Sequence, residues 1–315
     1  MRRSIAGIFL AVATAACSAS EAGPAGPTAI EPSAGLPPLP TEATPRLPGA
    51  QGSIAFVSDG DGDLEILVMD ADGTDLRQLT FNSSPDFTPS WSPDGRRIVW
   101  AAERDGNADV YSMDADGSHV ERLTRNAEAD FAPAWSPDGD RIAFQSTRNG
   151  DSEIYSMAVD GSDVRRLTRS PALDGAPAWS PDGRAIAFVR GGLGHLDVYT
   201  MDADGSHVRR LTDAEGEDDE PSWSPDGRTI AFQSQRHGKF QIFLMAADGS
   251  RQHPLTDGHD HSVVPSWSPD GTWILFDSTR DANLELYVIS PEGGRSVRLT
   301  ERSGGDGVAD WTPPP

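Results

Sequence analysis

The sequence predicts an all-β fold: a six-bladed β-propeller with four antiparallel strands per blade. Three observations predict it. Trp91, Trp135, Trp179, Trp223, Trp267 and Trp311 stand 44 residues apart, with no insertion or deletion between them. A fixed period of this length marks a repeat architecture. Each of the first five opens the phrase Trp-Ser-Pro-Asp-Gly. Each period also holds four short alternating segments parted by turn residues, the content of one propeller blade.

Residues 128–168 give the elements in order. Ala132-Pro133-Ala134-Trp135 reads as a short strand. Ser136-Pro137-Asp138-Gly139 is a turn, because Pro presets φ, Asp bonds nearby backbone and Gly accepts positive φ. Residues 141–146 alternate, with Ile142 and Phe144 on one side, and a polar loop follows at 147–152. Residues 153–157 alternate again, a second tight turn covers 159–162, and 164–168 form the fourth strand.

The second-strand pattern begins six times, at Ile54, Ile98, Ile142, Ile186, Ile230 and Ile274. The Trp strand also occurs six times, but it is offset. The first unit lacks a preceding Trp strand, and the last Trp strand, Val308-Ala309-Asp310-Trp311, has no unit after it. The two leftovers complement each other. The C-terminal strand is therefore expected to pair with the N-terminal unit and close the ring, which removes an exposed sheet edge.

The remaining sequence divides the chain into 1–16, 17–50 and 51–315. Arg2-Arg3 precedes a mostly apolar run from Ile5 to Ala16. That run is too short to span a bilayer but fits a secretory signal. It ends at Cys17, the one cysteine of the chain, so no internal disulfide is possible. Small residues ending at a cysteine resemble a bacterial lipoprotein signal peptide, although Thr14 stands where that family usually has Leu. The resemblance implies cleavage before Cys17, lipid attachment there, and a place in the bacterial cell envelope, facing the periplasm or the cell surface. Residues 18–50 are rich in Pro, Ala, Gly and Glu and lack aromatic residues, so they read as a disordered tether. The formal net charge of −23 argues against nucleic acid as a partner.

The repeat itself, Pro-x-Trp-Ser-Pro-Asp-Gly-Arg-x-Ile-Ala-Phe followed by Ile-Tyr-x-Met-Asp-x-Asp-Gly and Arg-Leu-Thr, resembles the WD40-like PD40 repeat. Its arrangement over residues 53–312 resembles the propeller of TolB proteins of the Tol–Pal system. TolB carries an α/β domain before its propeller, and here a tether is expected in that place. No Gly-x-Ser-x-Gly nucleophile elbow is present.

The recurring Trp and Asp-Gly residues are expected to build core and turns. Function is expected on the face that carries the loops before each Trp strand. Five residues before each Trp, a column reads Asp86, Asp130, Asp174, Asp218, Ser262 and Asp306. Its five carboxylates predict an acidic ring at the channel mouth that takes a basic envelope protein or peptide. The acidic stretch 213–220 adds to that mouth. His195, His237, His259 and His261 fall in one sector of the same face and form a candidate metal set, although their spacing matches no metal signature. Asp59-Gly60-Asp61-Gly62-Asp63-Leu64-Glu65 lacks EF-hand spacing. It reads as a hinge loop. Glu65, Asp109, Glu153, Asp197, Gln241 and Glu285 form a column that is expected to pair with Arg104, Arg148, Arg236 and Arg280. The expected protein is a monomeric, membrane-tethered, non-catalytic binding module without a cofactor. The alternatives are a metal-dependent hydrolase of the propeller lactonase type, with a divalent cation at the channel mouth, and a sugar-binding or sensory envelope propeller.

Overall fold

In the computed structural model the described residues are Leu47, 50–192, 194–281 and 283–312. They form six four-stranded antiparallel sheets, all in propeller order. The signal, Cys17 and nearly all of the tether lie outside the described residues. Blade 1 joins the C-terminal strand Asp306–Thr312 to Ser53–Ser58, Glu65–Asp70 and Arg77–Gln78. Blades 2 to 6 open with Asp86–Trp91, Asp130–Trp135, Leu173–Trp179, Asp218–Trp223 and Ser262–Trp267. These six first strands touch one another in a closed cycle and are the inner strands of the ring.

The expected closure is present. Ile54 is registered on Trp311 and Ser58 on Asp306. The Trp311 indole donates to Gln51 O at 3.0 Å. Asp310 ties the closing strand to both neighbouring blades: its carboxylate accepts from Trp91 N at 2.7 Å and from Ser266 Oγ at 3.5 Å. Burial pushes the Asp310 carboxyl up to about 6.

The core lies between blades. Six apolar clusters each draw on two adjacent blades, and each contains or abuts one of the repeating tryptophans. A tryptophan side chain buries about 150–250 Å² and so dominates such a seam. The Trp-Ser-Pro-Asp-Gly turns follow their expected chemistry. In the first, Asp94 accepts from Ser92 Oγ at 2.7 Å and from Arg96 N at 3.1 Å. Bonds of this kind, led by the serine hydroxyl, hold the Asp94 carboxyl below its ordinary value.

Every inner strand carries a bulge. The register shifts in each, and the displaced residue is left-handed without being glycine: Thr88, Ala132, Ala176, Glu220, Val264 and Val308 have φ between 45° and 52°. Such residues are uncommon away from glycine, and a bulge bends the strand that holds it. Five of these positions hold small or apolar side chains. Glu220 is the charged exception.

Candidate functional site

The aspartate column is not an exposed ring. Asp86, Asp130, Asp174, Asp218 and Asp306 are all buried, at 1% exposure or less. Four of them take an arginine of their own blade, and Asp306 takes one from the loop before its strand. Asp86 meets Arg104 at 3.3 Å, Asp130 meets Arg148 at 2.9 Å, and Asp218 meets Arg236 at 2.8 Å. Arg190 reaches Asp174 from a position two residues earlier in the repeat, with both nitrogens at 2.7 Å. Blade 1 has Gly60 in the arginine column. There Arg302 comes from the preceding loop to within 3.7 Å of Asp306, filling the space over Gly60. The guanidiniums of blades 2 to 5 also lie 4.7–5.5 Å from paired aromatic rings, as Arg148 does over Phe144 and Tyr155. The physical reason for the correction is burial. A desolvated carboxylate needs a counter-charge, and a nearby arginine supplies one to each of the five.

Of the arginines expected to serve the second carboxylate column, Arg104, Arg148 and Arg236 are therefore engaged elsewhere, and Arg280 donates to Ser278 and Ser296. That column uses arginines of the fourth strand: Asp109 with Arg122, Glu153 with Arg166, Asp197 with Arg210 and Glu285 with Arg298, at 2.6–2.9 Å. Blade 5 has lost both charges, with Gln241 and Pro254 at these positions. Blade 1 has lost only the arginine, which is Gln78. Its Glu65 is buried beside Asn82, whose N–H donates to it at 2.7 Å. Burial pushes the Glu65 carboxyl up to about 8. Asp61 and Asp63 converge on it, with ligand atoms of all three within 4.8 Å of one another. This is the hinge loop of the sequence reading, and carboxylates in such a group are the donor type that hard cations take.

The four histidines do not converge. His195 is exposed beside Asp197 at 3.4 Å. His237 is exposed and faces Gln241 Oε1 at 3.1 Å. His259 is exposed, and its carbonyl accepts from Lys239 Nζ. His261 Nδ1 accepts from Phe240 N at 3.3 Å, and burial, then nearby Lys239, hold its imidazole below the ordinary value. Among the described residues, the three carboxylates of blade 1 are the one cluster with metal-ligand proximity.

The 213–220 stretch holds acid that is not fully buried. Asp213 and Glu215 are exposed, while Glu217, Asp219 and Glu220 are half-buried. Among the described residues none of the five has a basic side-chain nitrogen within 4 Å. Burial pushes Asp219 up to about 6 and Glu220 well above the carboxylate range, and each is raised further by neighbouring acids. Asp277 is one of the acids acting on Glu220. It is buried in blade 6 and accepts from Val308 N at 2.7 Å. The sequence flagged the stretch as charged, but its lack of arginine depends on contacts that no spacing shows.

A closed six-bladed ring, with repeating residues spent on seams, turns and ion pairs, defines a propeller-repeat protein whose distinctive chemistry sits in its irregular blades. The chain belongs to the PD40 family, the TolB beta propeller domain, which matches residues 41–130, 87–174, 127–194 and 170–261. The Tol-Pal system protein TolB of Geobacter sulfurreducens is 47% identical over 47 residues, covering 15% of this chain and 11% of that protein. TolB of Desulfosudis oleivorans is 38% identical over 63 residues, covering 19% and 14%. These alignments thus span a small part of the curated relatives. The structure of a protein assigned as TolB from Agrobacterium tumefaciens superposes with a TM-score of 0.66 at 27% identity, covering 82% of this chain and 92% of that one. TolB from Acinetobacter baumannii gives a TM-score of 0.75 at 24% identity, covering 82% and 66%. An oligogalacturonate lyase in complex with manganese gives 0.53 at 16% identity, covering 80% and 74%, a likeness of fold alone.

Proposed function

We propose that this propeller is a non-catalytic binding module of the cell envelope that takes a basic segment of a protein partner against the sector around Asp219 and Glu220. The carrying observation is that these half-buried neighbours lie in the inner strand of blade 5 with no basic side-chain nitrogen within 4 Å among the described residues, whereas each buried aspartate five residues before an inner-strand Trp, Asp218 of the same strand included, is matched by arginine. Crowded, partly desolvated carboxylates repel one another, and a guanidinium or ammonium from outside relieves that repulsion. The net charge of −23 draws such a partner in from a distance. The Tol-Pal names of the curated relatives support an envelope complex as the setting. Lipid attachment at Cys17 belongs to the same reading and would hold the ring at a membrane.

The test uses the purified chain and a labelled arginine-rich peptide, followed by fluorescence anisotropy. The double variant D219N/E220Q is expected to weaken binding by about tenfold or more, the scale of a lost buried charge contact. Asp160→Asn, at an exposed turn, is expected to leave affinity unchanged. Equal affinity of wild type and D219N/E220Q would defeat the reading.

A further inference from the structure

The six blades share one rule with a single exception. Wherever a buried aspartate stands five residues before the inner-strand Trp, an arginine meets it, and the arginine comes from three different places in the repeat to do so. Blade 6 keeps the arginine but not the aspartate. Ser262 occupies the aspartate position, and Arg280 occupies the position of Arg104, Arg148 and Arg236.

Blade 5 shows what the guanidinium does when the set is complete. Arg236 Nε donates to Ser234 Oγ at 2.8 Å, Nη1 to Gln252 Oε1 at 2.8 Å, and Nη2 to Asp218 at 2.8 Å. In blade 6, Arg280 Nε donates to Ser278 Oγ at 3.0 Å, and Nη1 donates to Ser296 Oγ at 2.5 Å. The guanidinium is held over Phe276 and Tyr287 at 5.4 and 4.5 Å, as Arg236 is held over Phe232 and Phe243 at 5.5 and 4.7 Å. Two of its three donor directions and both of its ring contacts are thus reproduced. The bond that Arg236 makes to Asp218 has no counterpart for Arg280 among the described residues, and the aspartate position of blade 6 holds Ser262. Among the described residues no carboxylate lies within 4 Å of Arg280.

We infer that Arg280, with Ser262, is a receptor for the carboxylate group of a ligand, which takes the place that the aspartate fills in the sister blades. The guanidinium is pre-oriented by bonds the ligand does not have to create, so little ordering cost remains. A carboxylate suits it because N–H donors of arginine bond carboxylate oxygens with charge assistance. Arg280 is half-buried, so its guanidinium is reached from solvent, whereas Ser262 is buried. Nearby acids are already engaged: Asp260 with Lys239 at 3.3 Å, and Asp281 with Arg298 at 3.5 Å. This inference is separate from the basic-segment reading. It concerns another blade and the opposite charge, and it stands or falls without Asp219 and Glu220.

The probe is acetate, titrated against chloride at constant ionic strength into the full chain labelled at arginine. The Arg280 side-chain N–H resonance is assigned by its loss in Arg280→Gln. Acetate is expected to shift that resonance saturably in the wild type, and chloride is not. In Ser262→Asp the resonance is expected to be displaced before any titration and to ignore acetate, because the variant supplies its own carboxylate. Its melting temperature is expected to rise. A blocked peptide with one internal Asp and one with a free C-terminus then separate a side chain from a chain end as the natural source. The absence of an acetate-specific shift in the wild type, or an equal shift in Ser262→Asp, would overturn the inference.

Discussion

At the scale of single residues, the balance of charge inside each blade decides what is structural and what is free. Asp130 is fully buried, and Arg148 is its counter-charge. Arg148→Gln is expected to cost about 3 kcal/mol in urea unfolding, the scale for stranding a buried charge. Unchanged stability would mean that the pair is not needed. Glu65 leads to a pH prediction. Its folded carboxyl lies at about 8, and Asp219, Asp306 and Asp310 lie at about 6, all above the ordinary carboxylate value. Between the unfolded and folded values the native state binds more protons than the unfolded one. Stability from these groups is therefore full below about pH 4 and falls as pH rises toward 8. The melting temperature is expected to decline across that window. Glu65→Gln is expected to lose the part of the decline between pH 6 and 8 and to melt higher than wild type at pH 8. A flat profile in both proteins would contradict the assignment.

At the scale of elements, the inner strand is the unit that matters. The strand Asp306–Thr312 completes blade 1 across a sequence gap of about the whole ring. Deleting 308–315 leaves Ile54 and its neighbours with an open edge and removes Trp311 from its seam. A large loss of melting temperature is expected on differential scanning, and an unchanged value would refute the latch. Strands, turns and closure were legible in the sequence because they follow from period, alternation and turn chemistry. The pairing of charges was not. Asp86 reaches an arginine 18 positions on, and Asp109 reaches one 13 positions on. Which arginine serves which acid depends on strand register and side-chain reach. The columns themselves were visible, and so were the irregular Ser262 and Gln241. What stayed hidden was that the regular members of the aspartate column are buried. A repeating aspartate looks the same in sequence whether it faces water or a guanidinium. The histidine sector failed for a related reason: neighbouring loops on one face need not aim their side chains at one point, and His195 and His237 turn to Asp197 and Gln241 instead.

At the scale of the whole molecule, blades 1 to 5 each match one buried inner-strand aspartate with arginine, and charge left outside such pairs gathers in blades 1, 5 and 6. Blade 1 gathers three carboxylates without an arginine, blade 5 presents Asp219 and Glu220, and blade 6 presents Arg280. The central claim is that the partner docks on the sector around Glu220. In-cell photo-crosslinking tests it most directly, with a photoreactive residue placed at exposed position 215 of the same stretch in one chain and at 160 in another. The account predicts a discrete protein adduct from position 215 that is lost in D219N/E220Q, and none from 160. An adduct from 160 alone, or identical adducts from both positions, would contradict it.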